Sequence, residues 1–176
     1  MAKHQRRPVA NLMDAGYTVR ICGRNDQTKI FAIINDSAKA YRSVIPADRY
    51  HEPYMPLDEL RKEFDEMTFF AYEEKEMLGV VGYQPVKDVT LVRHLYVVPG
   101  YQRRGIGKKL LEHVIHMAKT RRILVGTWGA AIWAIRFYEK NGFELLPNKD
   151  ELLRNYWNVP ERQIQLSVVL GMEKRA

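Results

Sequence analysis

The sequence predicts a mixed α/β fold, a mostly antiparallel sheet with helices on both faces, and three observations carry that prediction. Apolar residues alternate with period two in some segments and recur at three-four spacing in others. Between residues 67 and 98, strand-like runs follow one another with no helix between them, which argues against a doubly wound nucleotide fold. Strands and helices alternate only after that, as a parallel pair joined by a helical crossover requires.

Residues 1–16 read as a flexible N-terminal tail and 17–176 as a single domain. YTVRICG (17–23) alternates as a first strand. The next segment has Asn25, Asp26 and Thr28 as caps, with Ile30, Ile33, Ile34, Ala38 and Tyr41 at helical spacing. After an irregular, proline-rich stretch, PLDELRKEFDE reads as a short helix begun by Pro56, with acidic residues in its first turn. MTFFAYEE and MLGVVGYQPV form a hairpin about a charged turn, and Val89–Val98 is a β-branched strand ended by PGYQ. Leu110, Leu111, Val114, Ile115 and Ala118 place an amphipathic helix over 105–119. RILVGTW is a strand, AAIWAIRFYEKN a helix closed by Gly142 at C′, and FELL and RQIQLSVVLGM the closing strands.

With 176 residues, 46% apolar and 28% charged, the chain can bury one sizeable core. Its single cysteine, Cys22, excludes an internal disulfide and reads as a buried structural residue. No apolar run has the length of a signal peptide core or a membrane span, so the expectation is a cytoplasmic protein without a membrane partner. No metal site is assigned. The net charge of +7 suits a polyanionic partner, but it is scattered, which disfavours nucleic acid relative to a phosphorylated small molecule.

YQRRGIGKKLL (101–111) joins the long strand to the helix that follows. A strand that passes through a glycine loop straight into a helix leaves backbone N–H groups unpaired with the helix dipole behind them, which makes an anion site. Gly105 and Gly107 admit phosphate oxygens to the backbone, and Arg103, Arg104, Lys108 and Lys109 add positive charge. A pyrophosphate is the anion most naturally held. The spacing, Q-x-x-G-x-G, matches neither a Walker A loop nor GxGxxG, and the plain alternative is an ordinary helix start with a solvated basic face. A second segment, AIRFYEKNGFE (134–144), carries Tyr138 one turn before a helix-ending glycine; its plain alternative is an amphipathic helix with Ile135, Phe137 and Tyr138 in the core.

Together, in this order and at this separation, LYVVPGYQRRGIGKKLLEHVI and AIRFYEKNGFE resemble the GNAT superfamily of acetyl-coenzyme A dependent N-acyltransferases, most strongly over about residues 89–146. The resemblance implies a GNAT-like acyl-CoA N-acyltransferase fold with acetyl-CoA as cofactor. It implies that Gln102, Arg103, Arg104, Gly105, Ile106, Gly107 and Lys108 hold the pyrophosphate. Leu95, Tyr96 and Val97 would pair with the pantetheine arm where a bulge splays the central strand from the next one. It further implies that Tyr138 protonates the departing thiolate, with the Val97 amide as oxyanion donor, and that Ala131, Ala134, Phe137, Tyr138 and Lys140 lie along the cofactor. One well-placed oxyanion donor is worth about 3 kcal/mol, and positioning of the two substrates supplies much of the remainder.

Two departures bear on this. The asparagine frequent seven residues before the tyrosine is Ala131 here, and the central strand has no carboxylate to serve as general base. His94 is the one neutral-pH base there, but alternation sets Arg93 and His94 on opposite faces, with Arg93 towards the acceptor and His94 packed elsewhere. Other routes for the proton are water, His51 or Glu52. Tyr41, His51, Glu52, Tyr54, Arg93 and Trp128 are expected to line the cleft for a small-molecule or peptide amine, although simple loop packing would also explain most of them. A non-catalytic acyl-CoA sensor and a basic nucleic-acid-binding domain remain alternatives, and a homodimer is left open.

Overall fold

The computed structural model describes residues 16–175. The expected tail thus lies outside the described residues, apart from Gly16. In chain order the elements are β1 (Thr18–Ile21), α1 (Gln27–Ala38), α2 (Leu57–Glu66), β2 (Thr68–Glu73), β3 (Met77–Val86), β4 (Val89–Val97), α3 (Ile106–Met117), β5 (Arg122–Trp128), α4 (Ile132–Lys140), β6 (Glu144–Leu145), α5 (Lys149–Tyr156), α6 (Glu161–Ile164) and β7 (Ser167–Glu173). Short 3-10 turns at Arg24–Asp26 and Lys39–Ser43 flank α1. The seven strands form one sheet in the order β1-β2-β3-β4-β5-β7-β6. Every neighbouring pair is antiparallel except β4 and β5, which run parallel because α3 carries the chain back across the sheet.

Alternation along the strands divides the core into layers. Phe70, Val81, Val92 and Ile123 pack with Leu110, Leu111 and Val114 of α3 and Ile135 of α4. On the opposite face Phe69, Ala71 and Val80 meet Ile30, Ile33 and Ile34 of α1 and Leu60 of α2. Leu91, Leu124 and Val169 complete that face against Leu152 and Leu153 of α5. No helix among the described residues is long and apolar enough to cross a membrane.

The expected order of elements holds, with two corrections. The stretch from 147 to 161 contains α5, and α6 occupies the beginning of the segment read as the last strand. With eight and four residues, these helices are too short to display a repeat; α5 buries the adjacent pair Leu152 and Leu153, and α6 buries Ile164 alone.

The second correction concerns β4. Its register against β3 runs from Val80↔Tyr96 to Gly82↔Arg93, so three steps on β4 face two on β3. This is a bulge, and His94 within it has a φ of 48°. One inserted residue reverses the phase of everything after it. Leu91 therefore joins the α5 layer while Leu95 and Val97 join the α3 layer, and Arg93 and His94 both reach Glu63 of α2. The expected opposition of Arg93 and His94 is overturned.

Candidate active site

The β4–β5 ladder ends at Val92↔Val125, after which Thr127 and Trp128 pair only with β7. The two central strands part there, and a cleft of about 880 Å³ opens between them. The Val98 amide donates to Leu78 O across β3, and alternation in an antiparallel ladder turns the neighbouring Val97 groups the other way, into the gap. The Val97 carbonyl is taken there by Ser37 Oγ at 2.8 Å and by Gln102 Nε2 at 3.3 Å. No strand is left opposite the Val97 amide to accept its proton.

At the end of β4 the chain turns at Pro99–Gly100 and enters α3. Backbone bonding pauses between Tyr101 N→Val98 O and Lys109 N→Gly105 O. The amides between them belong to a helix N-terminus, where an intrahelical partner is lacking by geometry. Arg103 and Gly105 have φ values of 63° and 81°, and these left-handed residues curl the intervening amides into a concave array suited to an anion. At Gly107 a Cβ would stand 3.5 Å from the Phe137 ring and 3.8 Å from Val97 Cγ2, so this glycine keeps the passage between loop and strand open.

Among the expected residues, His94, Leu95, Tyr96, Val97, Gln102, Arg103, Gly105, Ile106, Gly107 and Lys108 line the cleft from β4 and the loop. Ala134, Phe137, Tyr138 and Lys140 line it from α4, and Tyr41, Tyr54, Arg93 and Trp128 from the other side. Four residues fall outside the lining. Arg104 lies over the Tyr101 ring at 5.2 Å. Ala131 is wholly buried beneath the start of α4. His51 bonds to Pro53 O through Nδ1, and Glu52 is engaged by Arg42 and Tyr50 on the exposed loop. Lys109, expected to add charge to the loop, instead sits over the Tyr17 ring at 4.4 Å.

Tyrosines dominate the middle of the cleft. Tyr138 is 7% exposed between Phe137 and Phe143, and burial with Tyr41 nearby pushes its phenol well above the usual value. Burial likewise raises Tyr41, Tyr54 and Tyr96. Tyr54 accepts the Trp128 indole N–H at 2.8 Å, and Tyr41 stacks on Trp133 at 5.9 Å. All four phenols are neutral, protonated groups.

Several residues were missed in the sequence. Ser37 fixes the Val97 carbonyl, Asn141 lines the cofactor side, and Trp157, Gln163 and Ser167 form a rear wall. Glu63 is the carboxylate lacking from β4. It lies beneath the cleft, 12% exposed, paired with His94 Nε2 and 3.3 Å from Arg93 Nη2, while Arg93 Nη1 donates to Gln84 at 2.9 Å. Burial alone would raise the Glu63 carboxyl, but His94 and Arg93 outweigh it and hold the group below its ordinary value. Its place on an amphipathic helix marks it as a surface acid, and nothing local signals that α2 presses it against the strand.

Residues 65–145 match the family model of the acetyltransferase (GNAT) domain. The ribosomal protein bS18 alanine N-acetyltransferase of Salmonella typhimurium is 37% identical over 78 residues, which are 42% of this chain. The match spans 49% of that relative's length, so the chain covers about half of it. Among solved structures, a GNAT-family acetyltransferase from Staphylococcus aureus superposes with a TM-score of 0.70 at 20% identity, covering 90% of this chain and 99% of the other. The PaiA N-acetyltransferase of Thermoplasma acidophilum, solved in complex with coenzyme A, superposes with a TM-score of 0.66 at 14% identity, covering 89% and 98%.

Proposed function

Residues 65–145 belong to the GNAT acetyltransferase family, and on that premise we propose that the chain transfers the acetyl group of acetyl-coenzyme A to an amine by direct attack with both substrates bound. One observation carries the reading. The outward Val97 amide and the amide array of the 102–108 loop lie along the same cleft, at a bend where the central strands separate.

The residues present fit the cosubstrate. The loop amides, with Arg103 and Lys108, suit a pyrophosphate, the β4 edge from Leu95 to Val97 suits an amide-bearing arm, and Ala134 and Phe137 give an apolar side. When bound, acetyl-coenzyme A supplies a thioester carbonyl open to attack. The Val97 amide donates to the oxygen that gains charge, and as a backbone group it needs no reorganisation to do so. Tyr138, buried and protonated, stands on α4 beside Phe137 as the proton donor for the leaving sulfur. The desolvation that weakens this phenol as an acid also strengthens a thiolate beside it as a base, so the transfer stays matched.

Tyr41, Tyr54, Trp128 and Trp133 wall the acceptor side, and the cleft lining includes no carboxylate among the described residues. An amine on a neutral or apolar carrier fits such walls, including a protein amine, as in the ribosomal protein bS18 alanine on which the relatives act. Calorimetric titration with acetyl-coenzyme A, followed by thiol release over a panel of alkyl amines, aryl amines and peptides with free N-termini, tests the reading. Binding with turnover on at least one amine is expected. Binding without turnover on any amine would leave the acyl-CoA sensor, and absence of binding would end both. Sedimentation of the same preparation reads whether the active species is a homodimer.

A further inference from the structure

The reaction needs a group to take the proton from the attacking nitrogen, and three independent features converge on one candidate. His94 lines the cleft. It lies in the β4 bulge with a φ of 48°, a conformation that costs a β-carbon-bearing residue free energy and persists where the surroundings impose it. Its Nε2 is sealed from solvent in ion-pair contact with Glu63 Oε2, and neither atom has another partner among the described residues. A carboxylate accepts only, so the ring must present N–H at Nε2, which makes Nδ1 the lone-pair nitrogen. The side chain remains 13% exposed on a residue that lines the cleft, and Nδ1 makes no hydrogen bond among the described residues, so it is the nitrogen free to meet a substrate there.

The surrounding groups fix this arrangement. Phe69 of β2 stacks on the imidazole at 6.0 Å and 15°. The charged groups about it are Glu63 from α2 and Arg93 from β4 itself, and Arg93 is anchored to Gln84 of β3. The Glu63 carboxylate and the Arg93 guanidinium offset each other in charge beside the ring.

We infer that His94 is the general base of the transfer and that Glu63 is its positioning residue, holding Nε2–H so that Nδ1 faces the incoming amine. The inference rests on the acetyltransferase reading above. The balance is complete: the N–C bond forms and the C–S bond breaks, the amine proton passes to His94 Nδ1, and Tyr138 gives its proton to sulfur. Return of the proton from His94 to the Tyr138 oxygen, through water or the Tyr41–Tyr96 phenols, restores both groups, so the net movement is one proton from nitrogen to sulfur.

The test compares wild type with Glu63→Gln, Glu63→Asp and His94→Ala. Nitrogen NMR of the ring in the wild-type protein should place the neutral imidazole's proton on Nε2. Glu63→Gln should lower kcat/KM at neutral pH by about tenfold or more and move its acidic limb to lower pH, while Glu63→Asp keeps the limb and recovers part of the rate. His94→Ala should remove the limb, with acetyl-coenzyme A affinity unchanged in all three variants. A proton on Nδ1, or a Glu63→Gln variant with wild-type rate and pH profile, overturns the inference. If the wild type turns over no amine at all, the acetyltransferase reading fails by itself, and the NMR tautomer still decides the Glu63–His94 pairing.

Discussion

Tyr138 is buried and enclosed by Phe137 and Phe143, with Tyr41 and Tyr96 lining the same cleft. Removing that one oxygen should leave the packing intact. Tyr138→Phe should therefore lower kcat by about 10²-fold or more with little change in cofactor affinity, measured by thiol release and by calorimetry. An equal turnover would make Tyr138 a packing residue. Gly107 offers the converse case, because its Cβ position opens between Phe137 and Val97 at the mouth of the loop. Gly107→Glu would set a carboxylate among the amides that await phosphate and should abolish binding of acetyl-coenzyme A in a calorimetric titration. Unchanged affinity there would refute the assignment of the loop.

Among the elements, α3 sets the position of the loop and β1 closes one edge of the sheet. α3 approaches β3 so closely at Gly79 that a Cβ would lie 2.9 Å from Leu110 Cδ1 and 3.0 Å from Ile106 Cγ2. A larger residue there would require the ends of those two α3 side chains to shift. At the sheet edge Asp26 accepts the Gly23 amide at 2.8 Å and pairs with Arg20, which also reaches Glu73 of β2. The Arg20 hydrogen bonds hold the Asp26 carboxyl below its ordinary value. A depressed carboxyl contributes stability that is present above its unfolded pKa of about 4 and is lost as pH falls through the folded value. Asp26→Asn should thus cost about 1 kcal/mol at pH 7, a loss on the scale of a helix cap, and the difference in Tm should shrink as the pH drops below about 4. A difference constant with pH would assign the effect to the amide hydrogen bond alone.

Across the whole molecule the net charge of +7 is offset locally wherever arginines and carboxylates meet, as at Arg121–Glu173 and Arg154–Glu161. At the loop 102–108 Lys108 also has a carboxylate nearby, Glu112 at 3.9 Å, but Arg103 and Lys108 line the cleft and no carboxylate does among the described residues. Screening should act on that field. Raising ionic strength from about 0.05 M to 0.5 M should weaken cofactor binding several-fold and leave Tyr138→Phe and wild type equally affected, as calorimetry at the two salt concentrations would read. Affinity independent of salt would assign the binding to backbone and apolar contacts instead.

The sequence by itself determined what depends on neighbouring residues. The period of each long strand and helix, the glycines that permit φ above zero at the start of α3, and the order of the meander and crossover are local properties, and they put the loop between β4 and α3 and Tyr138 on α4. Tertiary structure decided the rest. Counting by twos along β4 fails at a bulge, because one inserted residue exchanges the faces, and only pairing with β3 reveals it. Glu63 enters the site from a helix 30 residues before Arg93, through the packing of α2 on the sheet. Trp157 and Ser167 reach the cleft because β7 pairs with β5 in the sheet order. Arg104 and Lys109 lie over tyrosine rings and do not line the cleft. Local conformation is written in adjacent residues, whereas the company a side chain keeps is set by which strands and helices the fold brings together.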